Sequence, residues 1–523
     1  MLPAVSYFVA GILRIILLEA SAALLVLTRI VRRDDARGQR RLDLAFKIVA
    51  VLALFSWTNY GALRGGGELV HRWEQYHFFF GSKYLPEVGY FNLYKATILA
   101  DRESARAIGF VQTTRDLHTF DEEPVERALG DAAEVRGAFS DARWEAFKRD
   151  WSTLARGSAN WAQVMDDHGN SGSPAWAIFA APIARVCGIG PAGQRLMGLV
   201  DPLLMLVLFV LFFRTFGTRP TCVALVIFSM MPFCFDYLAG SLLRWDWLFA
   251  LGLALVLWTR GRWAGAGAAV GYAIASKLFP LFFAVGFGFW AAWEFARTRT
   301  FDRRLLRFGA GAAAAIALAV AISSAMFGPR VWKGYEERIA VAQHEHFYAN
   351  QYSFRTVFLQ AAFSTPRELA NDWMLPREVK AARPEVDVKS WRVSFLLLQL
   401  ALTALVALGL RRADAIEGLA IGPLLVYVWL VVNAYYWNMM MLPALVWALR
   451  VEPDPKNGRL APLIGLHVLL MWFYVYQHLG HGFAEGYFVG VMMLALLILW
   501  AVVSMGPWRG SASRQTGPDV PSR

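Results

Sequence analysis

Long apolar runs broken by short basic connections recur along this chain. A helix of about 17–25 apolar residues covers roughly 30 Å of hydrocarbon. On that measure the pattern predicts spans over 3–28, 44–63, 196–213, 222–239, 245–258, 264–275, 278–295, 305–327, 393–410, 419–432, 435–449, 460–476 and 487–505. The expected fold is an all-α polytopic membrane protein of about 13 transmembrane helices, the shorter ones tilted or buried among neighbours. Two hydrophilic stretches interrupt the rhythm. They divide the chain into two N-terminal helices (1–63), a long loop with amphipathic and re-entrant helices (64–195), a bundle (196–327), a second loop (328–391), C-terminal helices (392–505) and a disordered tail (506–523).

Orientation follows from the basic connections, because Lys and Arg accumulate on the cytoplasmic side of short loops. "RIVRRDDARGQRR", "RTFGTR", "TRGR", "RTRTFDRRLLR", "LRRAD", "RVEPDPKNGR" and the tail "PWRGSASR" all fall on one side when the spans alternate. Both long loops then lie outside. The segment "SPAWAIFAAPIARV", Ser173 to Val186, is apolar but short, and counting it as a crossing would invert every later basic loop. It is expected to be a re-entrant or surface-lying helix whose exposed backbone ends need protein cover.

Composition agrees: 57% of residues are hydrophobic and 18% charged, with a mean hydropathy of +0.39. The net charge of +12 is spread over the short connections, which argues for membrane lipids and against nucleic acid. Cys187, Cys222 and Cys234 lack metal-ligand spacing and are expected as small core residues. The N-terminal run resembles a secretory signal at "EASAAL", but its arginines follow the apolar stretch, so a retained helix is expected.

Chemistry collects on the outer side. Eight of nine histidines fall there: His71, His77, His118, His168, His344, His346, His478 and His481; His467 alone lies inside an apolar run. Asp201, Asp236, Arg244, Asp246 and Lys277 occupy the outer halves or ends of their spans. Ionisable groups at membrane depth are costly and by default suggest a site, here one polar cavity roofed by the long loops. The plainer alternatives are that Arg244 and Asp246 pair with each other and that Lys277 reaches out to the interface.

The stretch "HRWEQYHFFFGSKYLPEVGY", His71 to Tyr90, sits where the second span ends. If it is helical, His71, Glu74 and His77 lie along one side, with Phe78 and Phe79 turned toward lipid or core. A carboxylate held against apolar surface has its proton affinity raised and suits a general base; the alternative is an interfacial helix with a wet polar face. The spacing is not that of the H-E-x-x-H zinc motif. A divalent cation held with help from "QHEHF" (His344, His346) or "HLGH" remains an alternative. "MDDHGNSGSPAW" offers Asp166, Asp167 and His168, either as a cation- or sugar-orienting group or as a plain polar turn. Phosphate-binding and nucleophile-elbow motifs are absent, so ATP or nicotinamide use is not expected.

The dozen or so spans, a long first outer loop opening on an acidic residue, amphipathic helices in that loop and the lysine in "ASKLFP" together resemble the GT-C superfamily of integral-membrane glycosyltransferases. "GRWAGAGAAVGYAIASKLFPLFF" is similar to the G…K-x-x-P stretch of bacterial polyprenyl-phosphate-mannose-type enzymes. "NAYYWNMMMLPAL", with Tyr436 and Asn438, is similar to their later aromatic segment. The resemblance covers most of the chain through short, degenerate motifs. It implies a multi-pass protein of a bacterial plasma membrane with a cytoplasmic C-terminus. The donor would be a polyprenyl-phosphate sugar and the acceptor a glycan, lipid or protein.

The family's base is an acidic residue soon after the first span; the matching positions are Glu68 and Glu74. This chain departs from the pattern in carrying an extra N-terminal span and Glu in place of Asp. Glu74 is favoured because Tyr76, His77, Lys83 and Tyr84 surround it in sequence. The resemblance also implies Lys277 near the lipid phosphate, assisted by Arg244, Arg355 or a histidine. Two rival readings are a transporter or flippase of lipid-linked sugars, and a non-catalytic assembly factor.

Overall fold

The computed structural model describes residues 6–157, 159–343, 352–362, 388–451, 458–478 and 485–505. His344, His346, His481 and the tail after Met505 lie outside them. The described chain is mostly helical, and its strands form one short antiparallel ribbon, Thr113–Arg115 with Glu122–Pro124, in which Thr113 faces Pro124.

Among the described residues five helices are long and apolar enough to cross a membrane: Phe8–Ile30, Pro191–Phe216, Arg303–Phe327, Arg392–Arg412 and Phe488–Met505. They leave large side chains such as Phe8, Leu206, Leu318 and Leu397 exposed, an apolar surface that water would not tolerate on this scale. The finer count of about thirteen crossings is not established, because several expected spans are shorter or broken. The 222–239 run forms Thr218–Met230 and then a separate turn, Cys234–Leu238, after Phe233 takes a left-handed backbone (φ 59°). The 419–432 run divides between Ala415–Ala420 and Gly422–Trp429, and 435–449 opens with a tight 3₁₀ stretch, Ala434–Met440. Irregular backbone inside an apolar bundle is stable only where protein covers it, and residues 238–248 are buried throughout.

Close helix crossings hold the bundle together. Gly267 and Gly271 on Trp263–Ser276 let Phe308 and Ala312 on Arg303–Phe327 approach backbone to backbone. Polar ties add specificity. Arg459 grips Glu417 with two bonds of 2.9 and 3.0 Å, and Trp500 Nε1 donates to the same carboxylate. His467, fully buried, meets Leu463 O through Nδ1 (2.8 Å) and Ser21 Oγ through Nε2 (3.0 Å), linking the first helix to Leu460–His478.

The long first loop builds a second core of its own, with Tyr76, Tyr84, Tyr94, Trp144, Phe147 and Trp151 among its buried residues. Pro174–Cys187 carries the "SPAWAIFAAPIARV" segment and joins this cap to the bundle. Its 14 residues reach only about 21 Å. Ser173 Oγ donates to Ala275 O (2.7 Å) and Trp176 Nε1 to Leu243 O (2.6 Å). From the second loop, Val331–Gln343 packs over the cap: Tyr335 meets Tyr90, and Arg338 lies over Phe120 and donates to His168 O. Of the three cysteines, Cys222 and Cys234 are buried, Cys187 is partly so, and all are free thiols.

Candidate functional site

The chain reaches the site through "NYGALRGGG", where Asn59, Tyr60, Leu63 and three successive glycines all have positive φ. This turn presents Arg64, which donates to Asp236 O, while Asn59 donates to the Asp236 carboxylate at 3.0 Å. The next residues cross the loop before Asp246 so closely that only glycine fits at 240. Its φ is +80°, and a Cβ there would lie 1.7 Å from Leu69 O. His71 N–H and the Gln75 amide both donate to Gly240 O, at 2.9 Å each.

His71 caps the short helix Arg72–Gln75, which runs on as a single π-turn, Tyr76–Phe80. π-turns interrupt the helical register and often mark working sites. This one has both Phe78 and Phe79 buried in protein, and Glu74, on the turn before it, faces Arg244 of the bundle. Arg244 is pinned through its backbone. Its own N–H and that of Trp245 donate to the two oxygens of buried Asp201, at 2.8 Å each, and its carbonyl accepts from Trp247 Nε1. Leu243, just before it, holds a strained left-handed φ of 52°. The guanidinium lies over Phe78, 3.9 Å from the ring centre, with Nη1 3.2 Å from Glu74 Oε2 and Nη2 3.5 Å from Tyr436 OH.

Glu74 Oε2 and Arg244 Nε and Nη1 are buried and make no hydrogen bond among the described residues. Burial pushes the Glu74 carboxyl above the usual range. Arg244, Arg64 and Lys277 pull it down, and the Asp167 charge adds to the rise. Lys277 arrives from the end of Trp263–Ser276, donates to Ser171 O (3.3 Å) and faces the Tyr436 ring. Three cations thus act on Glu74, with Asp167 as the second carboxylate.

Asp167 is already well supplied with donors. Trp73 Nε1 lies 2.6 Å away, His168 Nδ1 3.2 Å and His77 Nδ1 3.7 Å. Burial raises its carboxyl, but the bond from His168, the charges of His77 and His168 and the bond from Trp73 outweigh that and hold it well below the ordinary range. Tyr94 OH accepts from Gly169 N–H and contacts His77 Nε2, both at 2.9 Å. The tautomer that uses every donor has Tyr94 donating to Nε2, which leaves the His77 proton on Nδ1 facing Asp167. Burial pushes His77 down to about 4, and burial with the charges of Arg64 and Arg244 pushes His71 well below its ordinary value.

The structure therefore brings together His71, Glu74, His77, Asp167, His168, Arg244, Lys277 and Tyr436. It sets others apart. Glu68 stays half exposed and faces Arg72 at 3.9 Å. Lys83 and Tyr84 both bond Asp150 at 2.6 Å, and Tyr76 bonds Thr97, all inside the cap. Asp166 pairs with Arg115. Asn438 turns to Cys234 in the bundle, and Arg355 rides on Phe354–Ala362 against the helix Glu485–Met505.

Two alternatives fall away. Arg244 pairs with Glu74 instead of Asp246, whose Oδ2 takes hydroxyls from Tyr272 and Ser276. Lys277 is buried and does not extend to a surface. Sequence reasoning missed Arg64, Trp73, Tyr94 and the bracing role of Asp201. Only Arg64 left a signal, as the lone charge in a glycine-rich exit. Among the described residues no three His, Cys, Asp or Glu side chains converge as metal ligands. Comparison with family models, curated proteins and solved structures finds no match to this chain.

Proposed function

We propose that the protein is an inverting membrane glycosyltransferase of GT-C type that uses a polyprenyl-phosphate sugar at the outer face of a bacterial plasma membrane. In this reading the chain crosses about thirteen times, keeps its C-terminus in the cytoplasm and turns the cap outward. The observation that carries it is the partly buried Glu74, with Arg244, Lys277 and Arg64 around it and hydrogen-bonding positions left open on both Glu74 and Arg244. A carboxylate of raised proton affinity suits proton removal near neutral pH, and fixed cations suit a departing phosphate.

The donor phosphate takes the Nε and Nη1 donors of Arg244, together with Lys277, and draws the guanidinium off Glu74. The freed carboxylate accepts the proton of an acceptor hydroxyl on a glycan, lipid or protein. The hydroxyl oxygen forms its bond to the anomeric carbon as the carbon–oxygen bond to phosphate breaks, and the electron pair leaves on polyprenyl phosphate. Asp167, held by Trp73 and His168, stands where it orients a sugar hydroxyl.

Purified protein in detergent, given radiolabelled polyprenyl-phosphate sugars and candidate acceptors, is expected to release polyprenyl phosphate. Glu74→Gln is expected to abolish that release. Full turnover in both Glu74→Gln and Glu68→Gln would overturn the base assignment. Movement of labelled lipid across vesicles without cleavage would make the protein a flippase.

A further inference from the structure

A second cleft, of ≈ 430 Å³, opens on the cap between the turn after Leu85–Val88 and the segment around Asp131 to Val135. Its size is that of a small-molecule site. One wall is aromatic: Phe91 and His118 stack in parallel, 4.1 Å between ring centres and 12° between planes. The other is polar, with Asp131 and Glu134. The turn that carries Phe91 is rigid. Gly89 N–H donates to Leu85 O and Asn92 N–H to Val88 O, at 3.0 Å each, and Tyr90 OH bonds Gly172 O.

Two of the three carboxylates that line the cleft are already paired. Lys95 neutralises Asp131 at 3.0 Å, and Arg143 holds Glu87 with two bonds, leaving Glu134 as the free acceptor. A strongly charged ligand gains little from such a wall, and the described residues offer no trio of metal ligands. A flat aromatic face beside one free carboxylate, whose two oxygens can accept from adjacent hydroxyls, matches a neutral polyol instead. The polarised C–H groups of a pyranose ring pack on the negative face of an aromatic ring, and its hydroxyls donate to Glu134.

We propose that this cleft is a carbohydrate-binding site, separate from the Glu74 cluster and independent of the transferase reading. It adjoins the cluster through one short stretch of chain. Tyr90, in the cleft wall, bonds Gly172 O, and the neighbouring Ser171 O accepts from Lys277. A glycan seated here lies on the cap beside the segment that frames Glu74.

The test uses the full chain in nanodiscs, with empty nanodiscs as control, and ligand-observed saturation-transfer NMR. The probes are mannotriose, maltotriose, galactotriose and arabinotriose. At least one is expected to receive saturation from the protein. Phe91→Ala is expected to weaken that binding by about tenfold, as for the loss of one stacked ring. Glu134→Gln, at an exposed position that leaves the fold untouched, is also expected to weaken it, whereas Glu74→Gln is expected to leave it intact. Transfer to none of the four sugars, or binding undiminished in both Phe91→Ala and Glu134→Gln, overturns the proposal. Loss of binding in Glu74→Gln would place the sugar in the other site and overturn it equally. A response to calcium chloride alone would make the cleft a cation site.

Discussion

Arg244 and Glu74 face each other at 3.2 Å, with 4% and 18% of their side chains exposed. At an effective dielectric of about 20, two unit charges at that distance attract by about 5 kcal/mol. The solvent-facing edge of Glu74 reduces this, and Arg244 retains Phe78 and Tyr436 when the carboxylate is lost. A coupling of about 2–4 kcal/mol is therefore expected, above the ~0–1 kcal/mol of exposed pairs and near the ~3–5 kcal/mol of buried ones. The perturbation is a double-mutant cycle of Glu74→Gln, Arg244→Gln and the double variant. Unfolding free energies in mixed micelles are read by tryptophan fluorescence during SDS titration. Each single variant leaves a buried charge without its partner and is destabilised. The double variant loses less than the two together, by the coupling energy. Coupling below about 0.5 kcal/mol, the scatter of independent sites, would refute the view that the two charges meet in a poorly solvated pocket. The proposed mechanism would fall with it, since there the phosphate replaces this pairing.

Three further outcomes follow from the geometry. His77 is buried with its folded value near 4, against an ordinary 6.5, so the unfolded chain binds more protons between those limits. Stability therefore falls as pH drops from about 6.5 toward 4, by about 3 kcal/mol in all. Glu74 works in the opposite direction above 4.5, so the check is the flatter pH profile of His77→Gln relative to the native chain. Asp201→Ala leaves the N–H groups of Arg244 and Trp245 without their acceptor and is expected to cost about 2–6 kcal/mol; in the proposed reaction the same variant would lower turnover by releasing Arg244, whereas unchanged stability would deny the brace. Gly267→Ala places a Cβ 1.8 Å from Phe308 O and should lower thermal stability by about 1–3 kcal/mol, while Gly288→Ala, with open space around it, should not.

Much of the helical framework is legible in the apolar rhythm, because a run that must leave water can satisfy its backbone only by coiling on itself. The helices Arg303–Phe327 and Phe488–Met505 lie close to the runs read from the sequence. The tight 3₁₀ stretch over 434–440 at the start of the 435–449 run is not legible, and neither is the left-handed backbone at Phe233, although Pro232 beside it marks a break; Leu243 falls in the connection expected between the runs 222–239 and 245–258. The two interruptions at 64–195 and 328–391 are evident, but the sequence says nothing of the packing of Val331–Gln343 on the first of them.

For the site, the sequence by itself determined which residue types gather near the ends of the apolar runs, since burying charge away from water is too costly to occur by accident. Only the tertiary structure decided how they pair. It gave Arg244 to Glu74 instead of Asp246, sent Lys83 and Tyr84 to Asp150, and set Asp201 beneath the Arg244 backbone. Those choices depend on distances of about 3 Å between residues as far as 170 positions apart in the chain. Hydropathy follows neighbours along the chain, whereas an ion pair forms between neighbours in space.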